Sequence, residues 1–305
     1  MPRPVLPPLR SVPAALSLVL LAACGSGAAT LPGGAPPDSA AARVVAAENV
    51  WGDVVAQIGG PHVRVTSIIT DPNADPHEYT SSTADAAAIA GARLVVANGL
   101  GYDGFVDRLL AASPNRDRRV LVLGTALRVG GDDPNPHIWY DVARVAEAAR
   151  DIAADLERID PADAAYMRNR EAAFEHSLDP WRATIAAIRI AHAGTGVVYT
   201  ERVPASLLAA AGLEVLTPSA FAQAVEAGDD PSAQAVAQMQ ATITSGRARV
   251  LLYNAQATSP ITQRIRDLAR SSGIPVVGVG ETLPPGRTLQ DWQIGLARAL
   301  LVALG

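Results

Sequence analysis

From Arg43 onward the chain alternates short apolar runs with helix-like patterns, and few folds accept that alternation. Arg43–Ala47, Val63–Ile69, Leu94–Ala97 and Arg119–Leu123 are apolar runs of strand length. Between them, Val50–Ile58, Thr83–Ala92 and Tyr102–Ala112 carry the spacing of helices. Strands that alternate with helices are joined by crossovers, so the expected sheet is parallel.

The middle of the chain breaks this rhythm. Val142–Ile159 and then Ala162–His192 are helical, separated by Asp160-Pro161, with Pro161 suited to a first helical turn. Pro180 lies inside the second run and should kink it, because it lacks an N–H and its ring crowds the preceding turn. Alternation then resumes. Strands are expected at Gly196–Thr200, Glu214–Thr217, Val250–Tyr253 and Pro275–Val279. Helices are expected at Pro204–Ala211, from an Asp230 N-cap to Ser245, and at Ser259–Ser271 and Thr288–Leu304. The fold class is therefore α/β: two lobes with central parallel sheets, 43–159 and 194–305, joined by a long helix over 160–193, with a ligand cleft between them.

The amino terminus has a different character. Arg3 and Arg10 precede an apolar run, Val12–Ala23, too short to span a bilayer but suited to a signal peptide. Leu21-Ala22-Ala23-Cys24 reads as a bacterial lipobox. Residues 1–23 are then a leader, Cys24 the lipidated first residue, and 24–42, rich in Gly, Pro, Ala and Ser, a tether. Cys24 is the single cysteine, so the mature body would hold together by packing without disulfides. The net charge is −5 and all 25 basic residues are arginine, without a basic stripe, which excludes a nucleic-acid binder.

Two of the five histidines lie in matching loops, DPNADPHEYTSS (71–82) and DDPNPHIWYD (132–141), each with Pro directly before His. Ligands of open α/β sheets bind beyond the carboxyl ends of strands. His77 and His137 follow first-lobe strands, while Glu201 and Glu281 follow second-lobe strands. Two imidazoles and two carboxylates can hold a divalent first-row metal, and the prolines would lower the cost of ordering the loops. His62 sits at the opposite end of a strand, His176 within a helix and His192 near a helix C-terminus. Asp71, Asp75, Asp132, Asp133 and Asp141 suit turns, caps or support of ligands. Three functions fit these residues: a metal receptor, a secreted zinc-dependent hydrolase that keeps an open coordination position, and an adhesin or other non-metal binding protein with incidental histidines.

The lipobox, DPHEYTSSTAD, VVANGLGYDGFVDRLL (95–110), NPHIWYD and ETLPPG (281–286) together resemble the metal-binding solute receptors of bacterial ABC importers, the zinc and manganese receptors of the cluster A-I type. The resemblance spans Val44–Leu304. It implies two α/β lobes on one rigid long helix with the metal buried between them. It implies His77 and His137 as first and second ligands, and Glu201, eleven residues before Gly212-Leu213, as third. Glu281 falls at the fourth position, where the family usually has Asp, and the His-rich loop of many zinc receptors is missing. The implied protein is no enzyme. It is a monomeric, membrane-anchored extracytoplasmic lipoprotein that captures one Mn(II) or Zn(II), with Fe(II) also acceptable, and passes it to a membrane permease. Two carboxylates tilt such a site toward manganese or iron, while the general affinity order favours zinc over manganese.

Overall fold

The computed structural model describes residues 41–73 and 79–305. Cys24 and the expected leader lie outside these residues, as do Asp75 and His77. The first sheet holds β1 (Ala42–Glu48), β2 (Val63–Ile69), β3 (Leu94–Ala97) and β4 (Arg119–Val122), in the order β2-β1-β3-β4. The second holds β5 (Gly196–Tyr199), β6 (Glu214–Val215), β7 (Leu251–Asn254) and β8 (Val276–Val279), in the order β6-β5-β7-β8. Every pairing is parallel, as the alternation of strands with helices predicted.

The two sheets repeat one another in order and in register. Ala46 pairs with Val96, so two residues further the end of β1, Glu48, stands beside Asn98. Tyr199 pairs with Leu252, so the same step sets Glu201 beside Asn254. The sequence carries this repeat as VVAAE (44–48) against VVYTE (197–201) and ARLVVAN (92–98) against ARVLLYN (248–254). Sequence reading alone found only the echo of the His loops. In both lobes this Glu–Asn pair marks the switch point, where neighbouring strands are reached by connections running in opposite directions and a crevice opens.

Helices α1 (Asn49–Gly59), α2 (Thr83–Gly91), α3 (Phe105–Ala112), the short α4 (Leu123–Ala126) and α5 (Val142–Ile159) flank the first sheet. The connecting helix is bent: α6 (Ala164–Ser177) ends at Leu178, and α7 (Asp179–His192) starts with Pro180 in its first turn. Pro180 acts as expected, its missing N–H tolerated only at a fresh helix start. The second sheet is flanked by α8 (Ala205–Ala210), α9 (Ser219–Glu226), α10 (Ala233–Thr244), α11 (Pro260–Ser271) and α12 (Leu289–Leu304). The amphipathic two-turn helix α9 was not anticipated. The N-cap of α10 is Ser232, which accepts from Ala235 N at 3.2 Å, and not Asp230. Helix α3 starts three residues later than its apolar pattern, because Gly99, Leu100 and Gly101 are all left-handed.

One hydrophobic cluster runs through both lobes, from Val44, Trp51 and Trp139 through Trp181 to Tyr199, Leu252 and Leu300. Helix α12 returns from the second lobe to lie on α7 and α1. Gln57 and Gln290 exchange hydrogen bonds there at 2.9 and 3.0 Å, and Asp53 Oδ2 accepts from Leu289 N at 2.8 Å. Among the described residues no helix is long and apolar enough to cross a membrane.

Candidate metal centre

His137, Glu201 and Glu281 meet between the sheets. All three are buried, and one ligand atom from each lies within 4.8 Å of the others. Glu201 follows β5 by two residues and Glu281 follows β8 by two residues, so both carboxylates leave the carboxyl edge of the second sheet. His137 comes from the first lobe, fourteen residues beyond Leu123 and just before the 3₁₀ turn Ile138–Tyr140. That turn seats Trp139 and Tyr140 in the core, which fixes the loop from below.

The histidine is oriented by Asn135. Its Nδ1 lies 2.7 Å from Asn135 Oδ1, which also accepts the His137 backbone N–H at 3.0 Å. A carboxamide oxygen only accepts, so Nδ1 carries the proton and Nε2 faces the carboxylates. His137 Nε2 lies 3.1 Å from Glu281 Oε2. With the Nδ1 tautomer, both atoms present lone pairs, and a proton or a cation between them makes the contact favourable. A divalent metal would supply that charge.

Each carboxylate is also held. Asn254 Nδ2 donates to Glu201 Oε2 at 2.6 Å and to Glu281 Oε1 at 2.7 Å. Tyr102 OH donates to Glu281 Oε2 at 3.0 Å from across the cleft. Burial first, then the charges of Glu281 and Glu48, push the Tyr102 phenol well above its usual range, so it remains a donor. Gln256 Oε1 accepts the Glu281 backbone N–H at 2.5 Å. Tyr102 is presented by the left-handed turn at Gly99–Gly101, which Asp103 braces by accepting from Asn98 N at 2.6 Å and Gly99 N at 2.8 Å. At Gly99, with φ +79°, an added Cβ would meet Val122 at 2.6 Å, so glycine is required.

The lobes are tied together around this cluster. Tyr140 OH donates to Gly280 O at 2.6 Å, and Asn49 exchanges two 2.8 Å bonds with the Leu283 backbone. Asn135 Nδ2 donates to Arg202 O at 2.9 Å, and the Arg202 guanidinium bridges Asp133 and Glu226. Those two carboxylates push the Arg202 guanidinium upward, Glu226 more than Asp133, and Arg202 in turn lowers Asp133. A cavity of about 400 Å³ lined by Tyr102, Asp133, Pro136, Arg202 and Glu226 opens beside these groups.

Three of the four expected ligands are thus together, and the fourth, His77, lies outside the described residues. The chain leading to it is near: Asp71 O accepts from the hydroxyl of Thr282, next to Glu281, at 3.3 Å. Asp141 caps α5 through Ala143 N and Arg144 N, and Asp71 Oδ1 accepts from Asn73 N. His62 joins Asp160 and Asp163 at the amino end of β2, where its Nδ1 lies 2.8 Å from Asp163 Oδ2. Asn135, Asn254 and Tyr102 were missed in the sequence. The signal for Asn254 was present, since ARLVVAN (92–98) and ARVLLYN (248–254) both close on Asn.

The family described as zinc-uptake complex component A, periplasmic (ZnuA), matches residues 44–303. The chain belongs to this family. Among curated relatives, the manganese-binding lipoprotein MntA of Halalkalibacterium halodurans is 29% identical over 173 residues, 54% of this chain and 56% of that protein. The metal ABC transporter substrate-binding lipoprotein SsaB of Streptococcus sanguinis is 28% identical over 175 residues, 52% of this chain and 56% of that protein. The chain spans about half the length of the curated relatives it matches. The periplasmic zinc binding protein TroA of Treponema pallidum superposes with a TM-score of 0.72 at 18% identity, covering 87% of this chain and 98% of TroA. A crystal structure of ZnuA gives 0.71 at 21%, covering 86% and 98%. At these identities the superpositions show a shared two-lobe fold.

Proposed function

We propose that this member of the ZnuA family is the extracytoplasmic receptor of a bacterial ABC importer, which captures one divalent transition metal, Mn(II) or Zn(II), between its lobes and delivers it to a membrane permease. The burial of His137, Glu201 and Glu281 with ligand atoms within 4.8 Å carries this reading. Buried carboxylates converging on an imidazole are costly unless a cation neutralises them. His77 is the fourth ligand, by its place in the family motif and by the approach of Asp71 to Thr282. The relatives named as manganese-binding and substrate-binding lipoproteins support both the cargo and the role. The LAAC motif at 21–24 supports lipid anchoring through Cys24 of a monomeric receptor, and the lobe limits 43–159 and 194–305 with linker 160–193 follow the helical middle.

Calorimetry and elemental analysis of the purified protein test this. One equivalent of Mn(II) or Zn(II) should bind, and His137→Ala or His77→Ala should abolish tight binding. Unchanged affinity in both variants rejects the site. Because these ligands bind the ion in deprotonated form, affinity should also fall as pH drops.

A further inference from the structure

Asn254 touches both carboxylates of the centre, and its own orientation is fixed. It is fully buried at the end of β7; its backbone N–H donates to Thr200 Oγ1 at 3.1 Å, and its Oδ1 accepts from Gln256 N at 3.0 Å. Because the oxygen is committed to a backbone N–H, the NH2 group must face Glu201 and Glu281. Its two protons go to Glu201 Oε2 and Glu281 Oε1. A carboxamide is neutral at every accessible pH, so this clamp is permanent.

The consequence concerns how many oxygens each carboxylate can offer a metal. An oxygen accepting a strong hydrogen bond at 2.6–2.7 Å is a poorer ligand, and rotating it toward the ion would break that bond. Resting on the reading above, we infer that Asn254 sets the metal preference of the centre by holding Glu201 Oε2 and Glu281 Oε1, so that each carboxylate ligates through its other oxygen. In Glu281 that is Oε2, which faces His137 and takes only the longer, 3.0 Å bond from Tyr102. One oxygen per carboxylate gives a small coordination number, which suits tetrahedral zinc. Manganese prefers a larger, oxygen-rich shell that bidentate carboxylates would complete. Asn254 is thus a positioning residue whose effect is selectivity rather than capture. The register-equivalent Asn98 does parallel work for the imidazole side: its Nδ2 donates to Pro136 O at 2.9 Å, the carbonyl just before His137.

Cobalt(II) reports the geometry directly, since four-coordinate Co(II) absorbs intensely in the visible and six-coordinate Co(II) weakly. Wild-type protein titrated with Co(II) should show the intense bands, and its affinity for Zn(II) should exceed that for Mn(II). In Asn254→Ala the bands should weaken, and the Zn(II)/Mn(II) affinity ratio should fall by about tenfold or more. Asn254→Ser, which keeps one donor, should lie between. A weak, six-coordinate spectrum in the wild type overturns the inference without any variant. So does a folded Asn254→Ala protein with an unchanged spectrum and ratio. Failure of the wild type to bind any of the three metals instead defeats the receptor reading, and this inference with it.

Discussion

Asn135 holds His137 by its ring Nδ1 at 2.7 Å while its amide nitrogen reaches the Arg202 carbonyl of the other lobe at 2.9 Å. One side chain therefore orients the imidazole and ties it to the strand end that carries Glu201. Replacing it should cost more than a surface hydrogen bond. Asn135→Ala is expected to weaken Zn(II) binding by about 10- to 100-fold and to lower the melting temperature of the metal-free protein by roughly a few degrees. Competition with a chromophoric chelator measures the first, and a thermal melt the second. Equal affinity would show that the Trp139 and Tyr140 packing alone positions the ring.

Arg202 and Asp133 close the rim of the cleft with bonds of 2.7 and 3.1 Å, and Glu226 shares the same guanidinium. Asp133 is solvent-exposed, so the pair is screened and acts mainly on how often the lobes part. Asp133→Ala should speed metal release about two- to fivefold, as followed by stopped-flow transfer to a fluorescent chelator. Raising salt should accelerate wild-type release and leave the variant nearly unchanged. A salt effect of the same size in both proteins would place the control elsewhere.

Glu48, buried at the end of β1, is held well above the usual carboxylate range by burial and then by the charge of Asp103. Asp103 is itself raised by burial. A carboxyl with a raised folded pKa keeps its proton after the unfolded chain has lost it. The native state then binds more protons, and stability falls as pH climbs from the unfolded value toward the folded one. Urea unfolding of the metal-free protein should show lower stability at pH 8 than at pH 5. Glu48→Gln should flatten that slope, with the slope from Asp103 remaining. Identical slopes in both proteins would mean that Glu48 is already ionised in the fold.

Much of this was legible in the linear chain. Leu94–Ala97 appears as a strand at those limits, because full burial leaves no polar face to blur its ends, and Val63–Ile69 does so although only Ile68 and Ile69 are buried. Val142–Ile159 is a helix over the expected span, since its apolar stripe and its Asp141 cap coincide. Boundaries slipped where backbone conformation overrode pattern, as at Gly99–Gly101, or where one of several turn residues captured the cap, as Ser232 did ahead of Asp230. The duplicated Glu–Asn strand ends escaped notice because their meaning depends on which strands are neighbours.

Residue type and position by themselves determined that the chain is a parallel α/β protein and that Glu201 and Glu281 emerge from strand ends. Both follow from periodicity and from the polar residues that interrupt it. Only the tertiary structure decided that Glu201 and Glu281 share the NH2 group of Asn254 and that Tyr102 reaches Glu281 from the opposite lobe. Hydrogen-bond geometry at 2.6–3.0 Å between residues up to 179 positions apart depends on sheet order and lobe closure, which no local pattern encodes.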